Sequence, residues 1–401
     1  MVLLSERNLA MNTRFALCCF LAGLGWCNVL FSRDGTATSA VELIATGSLG
    51  GDSLDLSGVT GTLETDTRAD QLGGFSALDY TGVANRYWVL SDRGPGDGAA
   101  TFACRFHELD LDIDLDQKRI TPTLRKSVLL RNAGGEQFVG SLKAVNVRKP
   151  EKGLALDSEG LRMIDSKSIA ITDEYGPSLR LFGIDGIQQR YWPLPSEFAL
   201  NPLPNAPGAR GTFPNRGLEG LAKSSDGKQL IAAMQGPLIQ DGVVEGEKCL
   251  GVNTRWLCVD MTTGKSKQWV YPLSNESTGV SEVLAVDATR YMVLERDSRL
   301  GVDANIKHIY LVDSKKATDV SGENGFARTE LPKNVVELEK RLLIDLRDDS
   351  FGLGGVATAE KPEGLCWGPQ LKEGRRLLVV CVDNDFKVDR QSEFYAFALR
   401  L

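Results

Sequence analysis

The tripeptide Glu-Gly-Leu occurs three times in this chain, at Glu159-Gly160-Leu161, Glu219-Gly220-Leu221 and Glu363-Gly364-Leu365. Each copy opens the same order of events: a short apolar strand, a turn, a second apolar strand, then an acid or amide. Glu159 leads to the run 168–172 and Asp173-Glu174, Glu219 to 229–234 and Gln235, and Glu363 to 376–382 and Asp383-Asn384. Two looser copies keep the plan. Val280-Ser281-Glu282-Val283 precedes 291–294 and Glu295-Arg296-Asp297, and residues 73–78 precede 87–91 and Asp92-Arg93.

A repeat of this kind constrains the fold before any other feature does. Each unit is a hairpin-like pair of β-rich runs bounded by Gly, Asp and Asn. One such unit cannot bury both of its faces, so the units must stack. Units of roughly 60–80 residues hold about four strands each, the content of a propeller blade. The spacings between Ser76, Glu159, Glu219, Glu282 and Glu363 are 83, 60, 63 and 81. The two long gaps leave room for a degenerate blade, so six blades are favoured, with five or seven allowed. The expectation is an all-β propeller over residues 41–401, in which a strand within 41–60 pairs with the C-terminal run 393–399 and closes the ring. Residues 108–116 alternate as a strand. Residues 334–343 read as a partly helical insertion, and the loop 200–213 is long enough to cover one mouth of a central channel.

Residues 1–35 read as targeting. Arg14 precedes an apolar run, 15–31, which fits a cleavable signal peptide or an uncleaved membrane anchor. Export to the periplasm or the extracellular space follows, with membrane contact only if the segment stays attached. Of eight cysteines, five lie beyond this segment, and Cys366 with Cys381, or Cys249 with Cys258, are candidates either for disulfides or for buried thiols. The net charge is −7 and there is no basic cluster, which argues against nucleic acid as a partner.

The chain has only two histidines and no Gly-x-Ser-x-Gly elbow, so Ser-His-Asp hydrolysis is disfavoured. There is no Walker motif, and the glycines at 94, 96 and 98 form a tight loop without a following helix. Asp112, Asp114 and Asp116 resemble a calcium loop, but Gln117 stands where that loop needs Gly. What remains is carboxylates. One set, Glu159, Glu219, Glu282 and Glu363, begins each inner hairpin. A second, Asp92, Asp173, Glu295 and Asp383, ends it, with Gln235 and Asn384 alongside. A propeller brings such positions to one axis, where the charges repel. A hard cation such as Ca²⁺ relieves the repulsion. Arg93, Arg216 and Arg296 are the alternative, as internal counter-ions.

The ordered series of residues 73–78, 91–94, 157–161, 172–177, 215–221, 294–297, 362–365 and 382–386 resembles the phytase-like family, described as having an esterase-like activity of phytase. The resemblance spans about 70–390. It implies a secreted or periplasmic β-propeller with Ca²⁺-dependent hydrolysis of phosphate esters. On that reading the cation ligands are drawn from Asp92, Glu159, Asp173, Glu219, Glu282, Glu295, Glu363 and Asp383. Arg93 and Arg296 hold phosphate, Glu159 or Glu363 acts as base, and the protein is a monomer acting on a small molecule. Gln235 and Ser76 depart from the pattern, where other units carry acids. A non-catalytic propeller that binds a ligand or protein, and a lactonase-like Ca²⁺ hydrolase, are the competing readings.

Overall fold

The computed structural model describes residues 29–31 and 37–401. Val29–Phe31 (β1) and Ala37–Ser39 (β2) pair antiparallel in a small unit of their own. The rest of the segment read as a signal or anchor lies outside the described residues. Among the described residues no helix is long and apolar enough to cross a membrane.

From Val41 onward the chain is all-β, with only short 3-10 turns between strands. Strand β3 (Val41–Leu49) comes first. One sheet follows from β4 (Phe75–Tyr80), β5 (Arg86–Ser91), β6 (Arg105–Asp114) and β7 (Arg119–Leu129), and a second from β8 (Ser158–Asp165), β9 (Ser168–Asp173), β10 (Ser178–Gly183) and β11 (Gln188–Trp192). The third begins with β12 (Leu218–Lys223) and β13 (Gln229–Met234). A separate hairpin, β14 (Val243–Glu245) and β15 (Lys248–Leu250), then precedes its outer strands β16 (Asn253–Asp260) and β17 (Ser266–Pro272). The fourth is β18 (Gly279–Ala285), β19 (Arg290–Arg296), β20 (Lys307–Asp313) and β21 (Glu339–Asp345). The fifth takes β22 (Lys361–Gln370), β23 (Arg376–Asp383) and β24 (Ser392–Leu399), and its outermost strand is β3, antiparallel to β24. Closure by an N-terminal strand is as the sequence indicates. A single parallel bridge, Thr46 to Arg119, links this sheet to the first.

Five blades, not six, therefore make the ring. Their first strands pack in a closed circuit: β4 on β8, β8 on β12, β12 on β18, β18 on β22 and β22 on β4. The cores show the same count independently. One apolar cluster fills each gap between neighbouring blades, for example Trp88, Phe106 and Phe182 between the first and second. Trp256, Tyr271 and Tyr291 lie between the third and fourth, and Met292, Leu365 and Phe397 between the fourth and fifth. The long repeat spacings arise elsewhere. The first blade has outer strands of 10 and 11 residues. The fourth carries the excursion 314–338 between β20 and β21. That excursion is not helical. Residues 334–338 are loop and the remainder of the supposed helix is strand β21, whose edge position tolerates its charged residues.

The repeated tripeptide has a geometric meaning. A β-bulge interrupts every inner strand at the same place, between Phe75 and Ala77, Ser158 and Leu161, Leu218 and Leu221, Val280 and Glu282, and Pro362 and Gly364. A bulge re-aims a side chain out of the normal alternation. Glu159, Glu219 and Glu363 occupy it. The glycine that follows lies against neighbouring backbone and side chains. A Cβ on Gly160 would stand 2.6 Å from the Leu221 Cβ, and one on Gly220 would stand 2.7 Å from the Val283 nitrogen. Leu161, Leu221 and Leu365 then enter the cores between blades.

The five described cysteines beyond the N-terminal segment are free thiols, so neither candidate disulfide forms. Cys381 pairs with Gly364 across the ladder and Cys366 with Val379, which sets the two sulfurs at different rungs.

Candidate functional site

The hairpin registers generate two rings of equivalent positions. The bulge ring is Ser76, Glu159, Glu219, Ser281 and Glu363. The second ring lies one residue past the partners of Phe75, Ser158 and Leu218, and opposite Gly279 and Lys361. It comprises Asp92, Glu174, Gln235, Arg296 and Asp383. Nine of these ten residues line one axial cavity of about 40 Å³, together with Arg93, Asn215 and Lys361. That volume admits about three water-sized species. The cavity continues into a vestibule of about 160 Å³, which adds Arg216, Ser277, Ser281 and Ser298.

Five of the eight carboxylates read from the sequence as cation ligands meet here: Asp92, Glu159, Glu219, Glu363 and Asp383. Three do not. Asp173 and Glu295 are each one residue short of the ring, and a one-residue slip on a strand turns a side chain to the other face. Asp173 instead accepts the backbone N–H groups of Asp157 and Tyr175. Glu295 is locked to the Tyr271 hydroxyl at 2.7 Å and to Lys340 at 3.0 Å. Glu282 stands at the glycine position of its repeat, not at the bulge, where Ser281 sits. It accepts the Leu221 N–H at 2.9 Å and pairs with Arg162 at 2.9 Å.

Arg162 closes the axis. Its guanidinium donates to the carbonyls of Leu78, Val283 and Leu365 at 2.9–3.1 Å, and also to the carbonyl of its neighbour Leu161. Those four acceptors belong to four of the five inner strands, and only the centre of the ring is within reach of all of them.

The sequence reading missed Asp157, Glu174, Asn215 and Lys361. Counting strand alternation from the glycine bulge would have found Glu174. Asp157, Glu159 and Glu174 are buried and offer ligand oxygens all within 4.8 Å of one another. Arg93 lies among them, at 2.7 Å from Asp157, 3.6 Å from Glu174 and 3.8 Å from Glu159. Across the cavity Arg296 pairs with Glu363, and Lys361 with Asp385 and, at 3.4 Å, Asp383. Gln235 donates to Glu219. Ser76 turns away and donates to the Ser158 carbonyl at 2.7 Å. The loop 200–213 does not line this cavity. It bridges back on itself at Leu200 and Thr212, and only Asn215 and Arg216 beyond it reach the vestibule.

Six carboxylates thus face three cations in the inner cavity. Burial pushes the carboxyl of Glu159 well above its usual range, and the nearby Glu219, Asp157 and Glu174 push it further. Glu219 is raised well above its range by burial, then by Glu174 and Glu363. Asp92 is raised likewise by burial and by Asp383. Glu174 is pushed up to about 8, chiefly by burial, and Asp383 to about 6, with Lys361 opposing the shift. The upward shifts mean that these carboxyls hold their protons to higher pH than they would in water, which eases their mutual repulsion. Only 1% of Glu174 is exposed, and its Oε1 has no hydrogen-bond partner.

The donor set suits a hard cation: carboxylate oxygens with amide and hydroxyl oxygens at hand, and neither His nor Cys lining the cavity. The orphaned Glu174 oxygen and the carboxylate excess both fit such an ion.

Among curated proteins nothing matches. Solved structures that match include a hydrazine synthase of Kuenenia stuttgartiensis, at 11% identity over 82% of this chain and 79% of that one, with TM-score 0.35. A luciferin-regenerating enzyme matches at 9% identity over 81% of this chain and 92% of that one, with TM-score 0.37. The tail fibre of Staphylococcus aureus phage P68 matches at 9% identity over 90% and 53%, with TM-score 0.39. Scores this low carry no argument about the site. The sequence itself is decisive: the profile described as phytase-like, esterase-like activity of phytase, matches residues 70–386, and the chain belongs to that family.

Proposed function

We propose that this protein hydrolyses phosphate esters in the axial cavity with the help of Ca²⁺. The observation that carries the reading is the arrangement of charge by depth: a buried floor with more carboxylates than cations, under a vestibule that collects Arg93, Arg216, Arg296 and Lys361. Asp157, Glu159 and Glu174, with Glu219 beside them, would hold the ion. When bound, Ca²⁺ supplies polarisation of a phosphoryl oxygen and of a water molecule.

The remaining work falls to the chain's own groups. Arg296 and Lys361 face the vestibule and present donors to phosphate oxygens, Arg296 through its planar fork. Exposed Arg216 has no ion pair among the described residues and is free to meet an anion. Glu363 stands beside Arg296 and takes the proton of the attacking water. Arg162 and the inner-strand carbonyls shut the far end of the axis, so substrate enters from one side only. The vestibule has room for a phosphate group and for part of the ester's organic group beside it.

The N-terminal apolar run supports export of the protein to the periplasm or the cell exterior. Phosphate release from a panel of esters, with Ca²⁺ and then with excess chelator, tests the function. Saturable release that chelator abolishes is the expected result. No release from any ester under either condition would refute it.

A further inference from the structure

In the structure Arg93 occupies the place the acids offer to a cation. Its Nη1 lies within 4 Å of Asp157, Glu159 and Glu174. Those three residues are the cluster whose oxygens converge within 4.8 Å. The other face of the guanidinium is held from outside. Its Nη2 donates at 2.9 Å to Asp97, whose side chain is 89% exposed. Asp97 sits on the loop 94–98, where Gly94, Gly96, Asp97 and Gly98 all have positive φ. Arg93 also lines the vestibule. The cluster keeps one further unmet demand, the buried and unpartnered Glu174 Oε1, which a guanidinium bound mainly to Asp157 leaves unserved.

We propose that Arg93 is a resident surrogate cation. A divalent ion entering the Asp157–Glu159–Glu174 seat displaces it toward the vestibule, where it becomes a donor to the substrate's phosphate. A guanidinium and a dication cannot share three oxygens set this closely, because the two like charges would stand within contact distance. Asp97 lies on the solvent side, so its bond to Nη2 is a tether that can persist while Nη1 leaves the acids. Cation loading would then create an anion site that the cation-free protein holds in reserve. Substrate and cation would reinforce each other's binding by the same factor. The proposal rests on the functional reading above for its substrate, but not for its metal step.

The test is calorimetric titration of Ca²⁺ into the full chain, comparing wild type with Arg93→Gln, Arg93→Lys and Glu174→Gln. Without its competitor, Arg93→Gln is expected to bind Ca²⁺ about tenfold more tightly or better, and Glu174→Gln about tenfold more weakly. Arg93→Lys keeps a charge but loses the fork that spans Asp157 and Asp97, so its affinity should fall between wild type and the Gln variant. It serves as the deciding comparison if Arg93→Gln does not fold by circular dichroism. Calcium affinity unchanged or weakened by both Arg93 substitutions would overturn the proposal, as would absence of binding in every protein. Phosphate release is read separately. Tighter Ca²⁺ binding without turnover would uphold the displacement and refute the hydrolase. Calcium-dependent turnover with no gain in affinity on replacing Arg93 would do the reverse.

Discussion

Replacing Arg162 by methionine tests the claim that one buried guanidinium fastens the ring at its centre. The change removes donors to the carbonyls of Leu78, Leu161, Val283 and Leu365, and leaves Glu282 without its charged partner, its bonds from the Leu221 and Val283 N–H groups remaining. Leaving a buried acceptor without its donor costs about 1–3 kcal/mol, and stranding a buried charge as well raises the cost to about 3–5 kcal/mol. The lower end applies near neutrality, because the Glu282 carboxyl is already pushed up to about 8 by burial, against the pull of Arg162. At pH 7 it is held mainly as the neutral acid, so the variant has no stranded charge. Below about pH 8 the folded form binds this proton in both proteins, and the stability difference is flat. Above it, wild-type Glu282 ionises while the variant, with a still higher folded value, keeps its proton. The gap must then widen by about 1.4 kcal/mol per pH unit. Equilibrium urea unfolding at pH 6, 7 and 9 measures this. Adding Glu282→Gln should abolish the pH-dependent part and leave the rest. A loss under about 1 kcal/mol at pH 7, or a gap that does not grow by pH 9, would refute the reasoning.

Other outcomes follow from the cavity. Glu174 rises from 4.5 to about 8 on folding and Asp383 from 3.8 to about 6. A raised carboxyl contributes most below its unfolded value and loses that contribution as pH climbs to its folded value, so the cation-free protein should lose thermal stability between about pH 4.5 and 8. Ca²⁺ should restore it, more at pH 8 than at pH 5, because the ion competes with those protons. Scanning calorimetry across that range checks both signs. Glu219→Gln removes one of the crowded charges, and should stabilise the cation-free protein by about 1 kcal/mol at pH 8 while weakening Ca²⁺ about tenfold, as denaturation and titration would show. Gly220→Ala places a methyl 2.7 Å from the Val283 nitrogen and 2.8 Å from the Glu282 carbonyl carbon, and should cost about 1–3 kcal/mol in urea unfolding.

Much of this architecture is legible in the chain because its repeat encodes it chemically. Glutamate on a bulge, glycine where the next blade approaches, and leucine in the gap between blades serve three demands of one geometry. The closing strand is legible for a similar reason, since an edge at 393–399 must be covered. Blade number is not, because spacing along the chain counts excursions and strand length as readily as blades. The stretch 314–338 and the long strands β6 and β7 imitate the missing unit. Side-chain direction is the other blind spot. Glu282 matches its counterparts by residue type, yet it falls one step beyond the bulge, and Ser281 takes the axial place. Asp173 and Glu295 yield their expected positions to Glu174 and Arg296 for the same reason. Nothing local to Arg162 announces that three carbonyls from distant segments converge on it.

The central claim is that the axial carboxylates hold a cation that phosphate-ester hydrolysis requires. Its most direct test is the initial rate of phosphate release as Ca²⁺ is titrated into metal-stripped protein, with Glu159→Gln run in parallel. A rate that climbs from baseline and saturates in the wild type, with the climb lost in the variant, is the predicted result. Release that ignores Ca²⁺, or that survives intact in Glu159→Gln, would contradict it.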